Sequence, residues 1–402
     1  MVGFAAALQL FSLVGFLPAA SNNPLHSSNS LLAPAHADST PTAGTGTPPT
    51  QLSPNPLYVN QPIVETGSVF GSTPIVPYVF PALNGELLPD NIFPSADDAA
   101  KDTPEPYQDR CHVQQNLTTT KASCIYGNPN SKTTIVLFGD SHALSWFPAI
   151  EQIAINKNWK LVSLTMSSCW PSSIPAWNSV TGILMKNCAI WRAATLKKIA
   201  TLHPYITFVA GTRGFETIDS KGHVLKGDAR TAAWSQGMNT TLTQLHQASR
   251  NLVYLSDYPV SLFAPEDCLA LAPAVTDVCA TSVAEAINVN WLNTERVVAL
   301  SNGAIWINPT EWICSTDPCS PLKDDFIIYR DGGHFTETFA RTLVNPLWST
   351  LYTNLLDPLP STSTLTTKTV SAKTPSKTPG TVTAKKTTAK PAQKVKVGLG
   401  GL

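Results

Sequence analysis

Residues 133–150 read TTIVLFGDSHALSWFPAI, and their reading decides the fold. From Thr133 to Phe138 the chain is β-branched or apolar without a break, as in a strand buried on both faces. The run stops at Gly139-Asp140-Ser141-His142, and from Leu144 to Ile155 apolar residues return at helical spacing, with Phe147, Ile150 and Ile153 on one side. Asp, Ser and His are thus gathered at a strand-to-helix turn in a chain only 13% of whose residues are charged. At such a turn a hydroxyl is exposed, and the first amides of the helix point at whatever binds there.

The same alternation extends downstream. Strands are expected at Lys160–Leu164, Tyr205–Ala210, Asn251–Leu255 and Ala304–Ile307, with helices over about 188–200, 232–248 and 336–354. Alternating strands and helices give an α/β fold, a parallel sheet covered by helices on both faces. Chemistry in open sheets of this kind lies beyond the carboxyl ends of the strands. Four segments leave strands in that direction: Gly139–Ala143, Thr165–Pro171, Gly211–Gly214 and Ser256–Val260. A fifth, YRDGGHFTETFA at 329–340, precedes the last helix and returns an Asp and a His to the same rim.

Composition divides the 402 residues into four parts. Residues 1–20 are apolar, without the basic start of a typical signal peptide, and read as a signal, an uncleaved anchor or the stub of a longer membrane protein. Residues 21–102 are rich in Pro, Ser and Thr and read as a linker; residues 358–402, with eight lysines and no acid, read as a disordered basic tail. The folded unit is expected at 103–357. Its formal charge is hidden by the tail: without those lysines the body is acidic, which excludes a surface for nucleic acid.

All eight cysteines fall in the folded unit as close sequential pairs: Cys111 and Cys124, Cys169 and Cys188, Cys268 and Cys279, Cys314 and Cys319. An even count at short spacing points to disulfides made outside a reducing cytosol, with the connectivity left open. No His, Cys, Asp and Glu cluster has metal-ligand spacing, and Gly-x-Gly-x-x-Gly is absent, so neither metal nor cofactor is expected.

A serine hydroxyl needs a base to become a nucleophile, and an imidazole oriented by a carboxylate supplies one. His334 has Asp331 three residues before it, with two glycines between that permit a tight return. The expected triad is Ser141, His334 and Asp331. The alternatives are a helix cap at Asp140-Ser141 and an ordinary loop histidine at His334. His142 is the second choice of base, since adjacent side chains in a turn seldom meet within about 3 Å. Trp146, Trp170 and Trp177 are either core or a sugar-stacking face.

Phe138-Gly139-Asp140-Ser141-His142-Ala143 resembles the first motif of SGNH/GDSL hydrolases, and Asp331-x-x-His334 resembles their last. One branch is nearer: the extracytoplasmic SGNH domain linked to OafA/YrhL-like membrane O-acyltransferases that acetylate bacterial cell-surface sugars. The likeness runs over about 103–357 through Cys111, Tyr126-Gly127, Ser168-Cys169-Trp170-Pro171, the Cys314/Cys319 pair and Tyr329-Arg330-Asp331-x-x-His334-Phe335-Thr336. The resemblance implies a three-layer, flavodoxin-like sheet and an acyl-serine enzyme at the cell envelope. It further implies an acyl donor, a glycan or glycolipid acceptor, and a separate membrane acyltransferase as partner. Transfer to a sugar, hydrolysis of an ester and a non-catalytic wall-binding module are the three functions it leaves open.

The wider superfamily holds its oxyanion with the serine amide, a glycine and an asparagine. Here the Ser141 amide is in place, the glycine position falls among Ser167, Ser168 and Cys169, and the asparagine position falls in Gly211–Gly214. Arg213 matches an arginine of the nearer branch, and serves either as a substrate or oxyanion donor or as a structural cation. Asp140, a carboxylate too near to stabilise an oxyanion, is expected to accept turn hydrogen bonds and fix the serine loop.

Overall fold

The computed structural model describes residues 74–355. The apolar segment 1–20 and the basic tail 358–402 lie outside the described residues, as does the linker up to residue 73. The central sheet has seven strands: β1 (His112–Val113), β2 (Ile125–Gly127), β3 (Thr134–Gly139), β4 (Lys160–Met166), β7 (Ile206–Ala210), β8 (Asn251–Leu255) and β9 (Ile305–Ile307). Two short hairpins stand apart from it, β5 (Trp177–Asn178) with β6 (Ile183–Leu184), and β10 (Leu322–Lys323) with β11 (Phe326–Ile327). The sheet order is β1-β4-β3-β7-β8-β9, all parallel, and β2 runs antiparallel to β4. Helices cover both faces, giving the three-layer α/β/α arrangement of an SGNH fold.

Alternate residues of each strand feed the two halves of the core. Ile135 and Leu137 of β3 join Ile206, Phe208, Val253 and Leu255 beneath the helices Phe147–Lys157, Glu337–Thr342 and Val344–Tyr352. Val136 and Phe138 point the other way, with Val209, Leu252 and Trp306, onto the helices Lys186–Leu202, Gly227–Ala248 and Val289–Ser301. Every residue from Ile135 to Phe138 has no exposed surface, each large side chain contributing about 1.5–3 kcal/mol of burial.

Both β1 and β2 lie along the same edge of β4, β2 against its start and β1 against its end. The Cys111–Cys124 disulfide ties them together, and the other bridges are Cys169–Cys188, Cys268–Cys279 and Cys314–Cys319. Four such bridges mark a domain formed outside a reducing cytoplasm. Among the described residues no helix is long and apolar enough to cross a membrane.

From residue 74 to 102 the chain lies against the body. Ile75 and Asn293 exchange two hydrogen bonds of 2.9 Å, the Leu83 amide donates to the Asp317 carbonyl, and the Phe93 amide donates to the Asp325 carbonyl.

Candidate active site

Gly139, the last residue of β3, is at φ +151°, and a Cβ there would stand 1.9 Å from the Ala210 carbonyl oxygen of β7. Only glycine lets the two strand ends approach so closely while the chain turns into the short helix Ser141–Ser145. Asp140 caps that helix. Its Oδ1 accepts from the His142 amide at 2.8 Å and its Oδ2 from the Thr212 amide at 2.9 Å, which fixes the serine loop to the end of β7. Asp140 is fully buried, and burial raises its pKa above the ordinary carboxylate value.

The catalytic-looking loop folds back in three residues. Asp331 Oδ1 accepts from the Gly333 and His334 amides, each at 2.8 Å, so the carboxylate is locked within its own turn. His334 Nδ1 lies 2.9 Å from Asp331 Oδ2, and His334 Nε2 lies 2.8 Å from Ser141 Oγ. The geometry brings together all three residues expected as the triad. Burial favours the neutral form of Asp331, but the His334 hydrogen bond and charge, the Gly333 amide and Arg330 together hold it at about 2. Arg330 stands 3.5 Å from the carboxylate and donates to the Tyr107 hydroxyl at 3.0 Å, linking the loop to the segment before β1.

On the far side of the loop is a second histidine and carboxylate. His142 Nδ1 lies 2.7 Å from Asp257 Oδ1, and Asp257 Oδ2 accepts from the Arg213 amide at 2.8 Å. The Tyr258 ring stacks on His142 with centroids 4.9 Å apart, and the His334 ring meets it edge-on at 5.3 Å. Burial would keep His142 neutral, but the Asp257 charge and hydrogen bond prevail and raise its pKa. Conversely, burial alone would raise Asp257, and His142 and Arg213 lower it. Each partner thus favours the charged form of the other, and the pair is closed below by Glu295, which accepts from the Asp257 amide and the Tyr254 hydroxyl. Burial and the Asp257 charge keep Glu295 protonated far above the ordinary range.

Arg213 leaves β7 as expected, but its guanidinium donates to the Ala286 carbonyl at 2.8 Å and no hydrogen bond joins it to the triad. Ser168 lies in the turn after β4, three residues past Thr165, the sheet partner of Gly139. It adopts φ +53°, the left-handed conformation a glycine would take at that position. The wall behind it is fastened by Cys169–Cys188 and by Arg192, which donates to the Trp170 and Ile174 carbonyls at 3.1 and 2.7 Å. Of the tryptophans weighed as a sugar face, Trp146 and Trp170 are core and Trp177 is half-buried.

Asp257 and Glu295 were not singled out from sequence. Asp257 sat in a recognised rim segment, Ser256–Val260, and its place directly after a strand was the available signal. Nothing comparable marked Glu295.

A Ser, His and Asp thus stand in hydrogen-bonded sequence at the carboxyl rim of a mostly parallel sheet. The chain belongs to the SGNH family: the family model described as "SGNH domain (fused to AT3 domains)" matches residues 110–348. No curated protein sequence matches it. Among solved structures it aligns with the periplasmic domain of a lipopolysaccharide acetyltransferase from Salmonella ser. Paratyphi A, at 15% identity and a TM-score of 0.47, over 65% of this chain and 98% of that one. It also aligns with a peptidoglycan O-acetylesterase at 12% identity and a TM-score of 0.31, over 48% of this chain and 47% of that one. A carbohydrate esterase family 2 enzyme from Corynascus thermopiles (Myceliophthora fergusii) aligns at 13% identity and a TM-score of 0.32, over 56% and 68% of the two chains.

Proposed function

We propose that this protein is an extracytoplasmic serine O-acyltransferase that passes an acyl group, acetyl by preference, to a hydroxyl of a cell-surface glycan or glycolipid. The observation that carries the reading is the Ser141 Oγ to His334 Nε2 distance of 2.8 Å, with Asp331 on the other ring nitrogen at 2.9 Å. His334 takes the Ser141 proton as Oγ attacks the acyl carbonyl; the tetrahedral oxyanion collapses, and the donor's leaving group departs with that proton. The acceptor hydroxyl then gives its proton to His334, attacks the acyl-serine carbonyl and leaves as an ester, and the proton returns to Ser141 Oγ. Asp331 stays ionised throughout and stabilises the imidazolium.

The Ser141 amide, at the start of the helix Ser141–Ser145, is the proposed oxyanion donor, with Ser168 and Arg213 lining the substrate side. Asp140 serves by holding the loop. The family description, an SGNH domain fused to AT3 domains, supports transfer over hydrolysis and a membrane acyltransferase as the source of the acyl group. The unit proposed for this chemistry is 103–357.

Hydrolysis uses the same acyl-serine with water in place of the sugar, and acceptor dependence separates the two. With p-nitrophenyl acetate as donor, added saccharide acceptor is expected to speed p-nitrophenol release and yield acetylated saccharide. Release that is indifferent to saccharide and yields only acetate would make the protein an esterase.

A further inference from the structure

We propose that His142 and Asp257 form a second histidine–carboxylate pair that acts on the base of the triad, holding the His334 loop in place and setting, by its charge, the pH at which His334 is free to take the Ser141 proton. The inference rests on His334 being that base. His142 is clamped on three sides: Nδ1 on Asp257 at 2.7 Å, one ring face on Tyr258, and an edge contact with His334 at 5.3 Å between centroids. Its Nε2 has no hydrogen-bond partner among the described residues and faces the turn of the catalytic loop, where a Cβ on Gly333 would meet it at 3.6 Å. Tyr258 fastens the same turn, its hydroxyl 2.9 Å from the Gly333 carbonyl oxygen and 2.8 Å from Ser145 Oγ. The pair therefore touches the loop that carries both His334 and Asp331, while its own hydrogen bonds tie it to Arg213 in the loop after β7 and to Glu295 in the helix Val289–Ser301.

A buried histidine–carboxylate pair is an expensive way to fill space, since a hydrophobic pair of the same volume is often as stable. Its charge reaches the reacting group. The charged or titratable groups facing His142 are Asp257 and Tyr258 after β8, Asp140 on its own turn, Arg213 after β7, and His334 across the ring contact. Around His334 they are Asp331 and Arg330 on its own loop, His142, and His112 on β1. Burial holds His112 down at about 3, so it stays neutral over the working range. His142 is the member of the pair whose ring meets His334, and the positive charge that Asp257 favours on it opposes a second positive charge there. Removing it makes protonation of His334 easier and shortens its range as a base.

The test uses the full-length, disulfide-bonded chain with p-nitrophenyl acetate, comparing wild type, His142→Gln and Asp257→Asn across about pH 5 to 9. The acid limb of kcat/KM is expected to move up by about 1 pH unit in His142→Gln and in the same direction in Asp257→Asn. A merely structural pair would lower the rate without moving the limb; that result, or a downward shift, overturns the proposal. Ring NMR signals give a readout that needs no turnover. His334 should titrate higher in His142→Gln than in wild type, and in wild type His142 should carry both ring protons at neutral pH. An unmoved His334 or a neutral His142 overturns the proposal. Equal p-nitrophenol release by wild type and Ser141→Ala would instead defeat the reading of the triad, and the NMR titration would still decide the role of His142.

Discussion

In the proposed reaction Ser141 becomes a nucleophile only through what stands behind it, and Asp331 is the first of those groups to test. Asparagine there keeps the Gly333 and His334 amide bonds but leaves the imidazole without its anion, so Asp331→Asn should lower turnover by about four orders of magnitude in a folded protein. The same side chain makes a prediction about acid stability. Its folded pKa, about 2, is below the 3.8 of an ordinary aspartate. Its contribution is thus complete above the unfolded value and is lost as pH falls from about 4 toward 2. Thermal melts across that interval should fall more steeply for wild type than for Asp331→Asn, and equal slopes would contradict the assignment.

The triad was legible in the sequence because its parts occupy two short motifs, one at a strand end and the other three residues wide. Asp257 was not, because its partner His142 lies 115 residues away and only the sheet brings them together. Glu295 was hidden for a different reason. The buried side of the helix Val289–Ser301 holds Glu295 and Arg296 among Trp291, Leu292 and Val298, which breaks the apolar periodicity that betrays a helix.

At the scale of elements, the site depends on how closely β3 approaches β7. Gly139→Ala would press a Cβ against the Ala210 carbonyl oxygen, a backbone atom of a central strand that cannot turn aside. Destabilisation of about 3 kcal/mol or more is expected in urea unfolding; a protein of unchanged midpoint would show that the strands can separate there. The long strands announced themselves by unbroken apolar runs, and Asn251–Leu255 was placed to the residue. Strands of two and three residues, β1 and β2, are too short to carry a period. They form on the edge of β4 away from β3, where a disulfide ties the two segments together. The last helix, expected as one piece over 336–354, is two, Glu337–Thr342 and Val344–Tyr352, joined through Leu343.

On the scale of the whole molecule, the two-faced core and the presence of disulfides followed from pattern and count, whereas the disulfide pairing and the path of residues 74–102 did not. That stretch is rich in proline, shows no periodicity and follows a Pro-, Ser- and Thr-rich run, so composition reads it with that run as linker. Its anchorage is made of isolated backbone bonds and single side chains, Ile75 on Asn293, Leu83 on Asp317 and Phe93 on Asp325, at separations no local pattern reveals. A chain beginning at residue 103 should therefore be less stable than one beginning at 74, by about 2 kcal/mol or more from the lost apolar burial. Equal melting temperatures would mean that the strap adds nothing to the fold.

The measurement that bears most directly on the account is the intact mass of the disulfide-bonded protein after brief exposure to p-nitrophenyl acetate, beside Ser141→Ala. Wild type should gain one acetyl group, about 42 Da, located on Ser141 by peptide mapping, and the variant should gain none at that position. An acetyl group that settles elsewhere, or that both proteins acquire alike, would contradict a covalent role for Ser141.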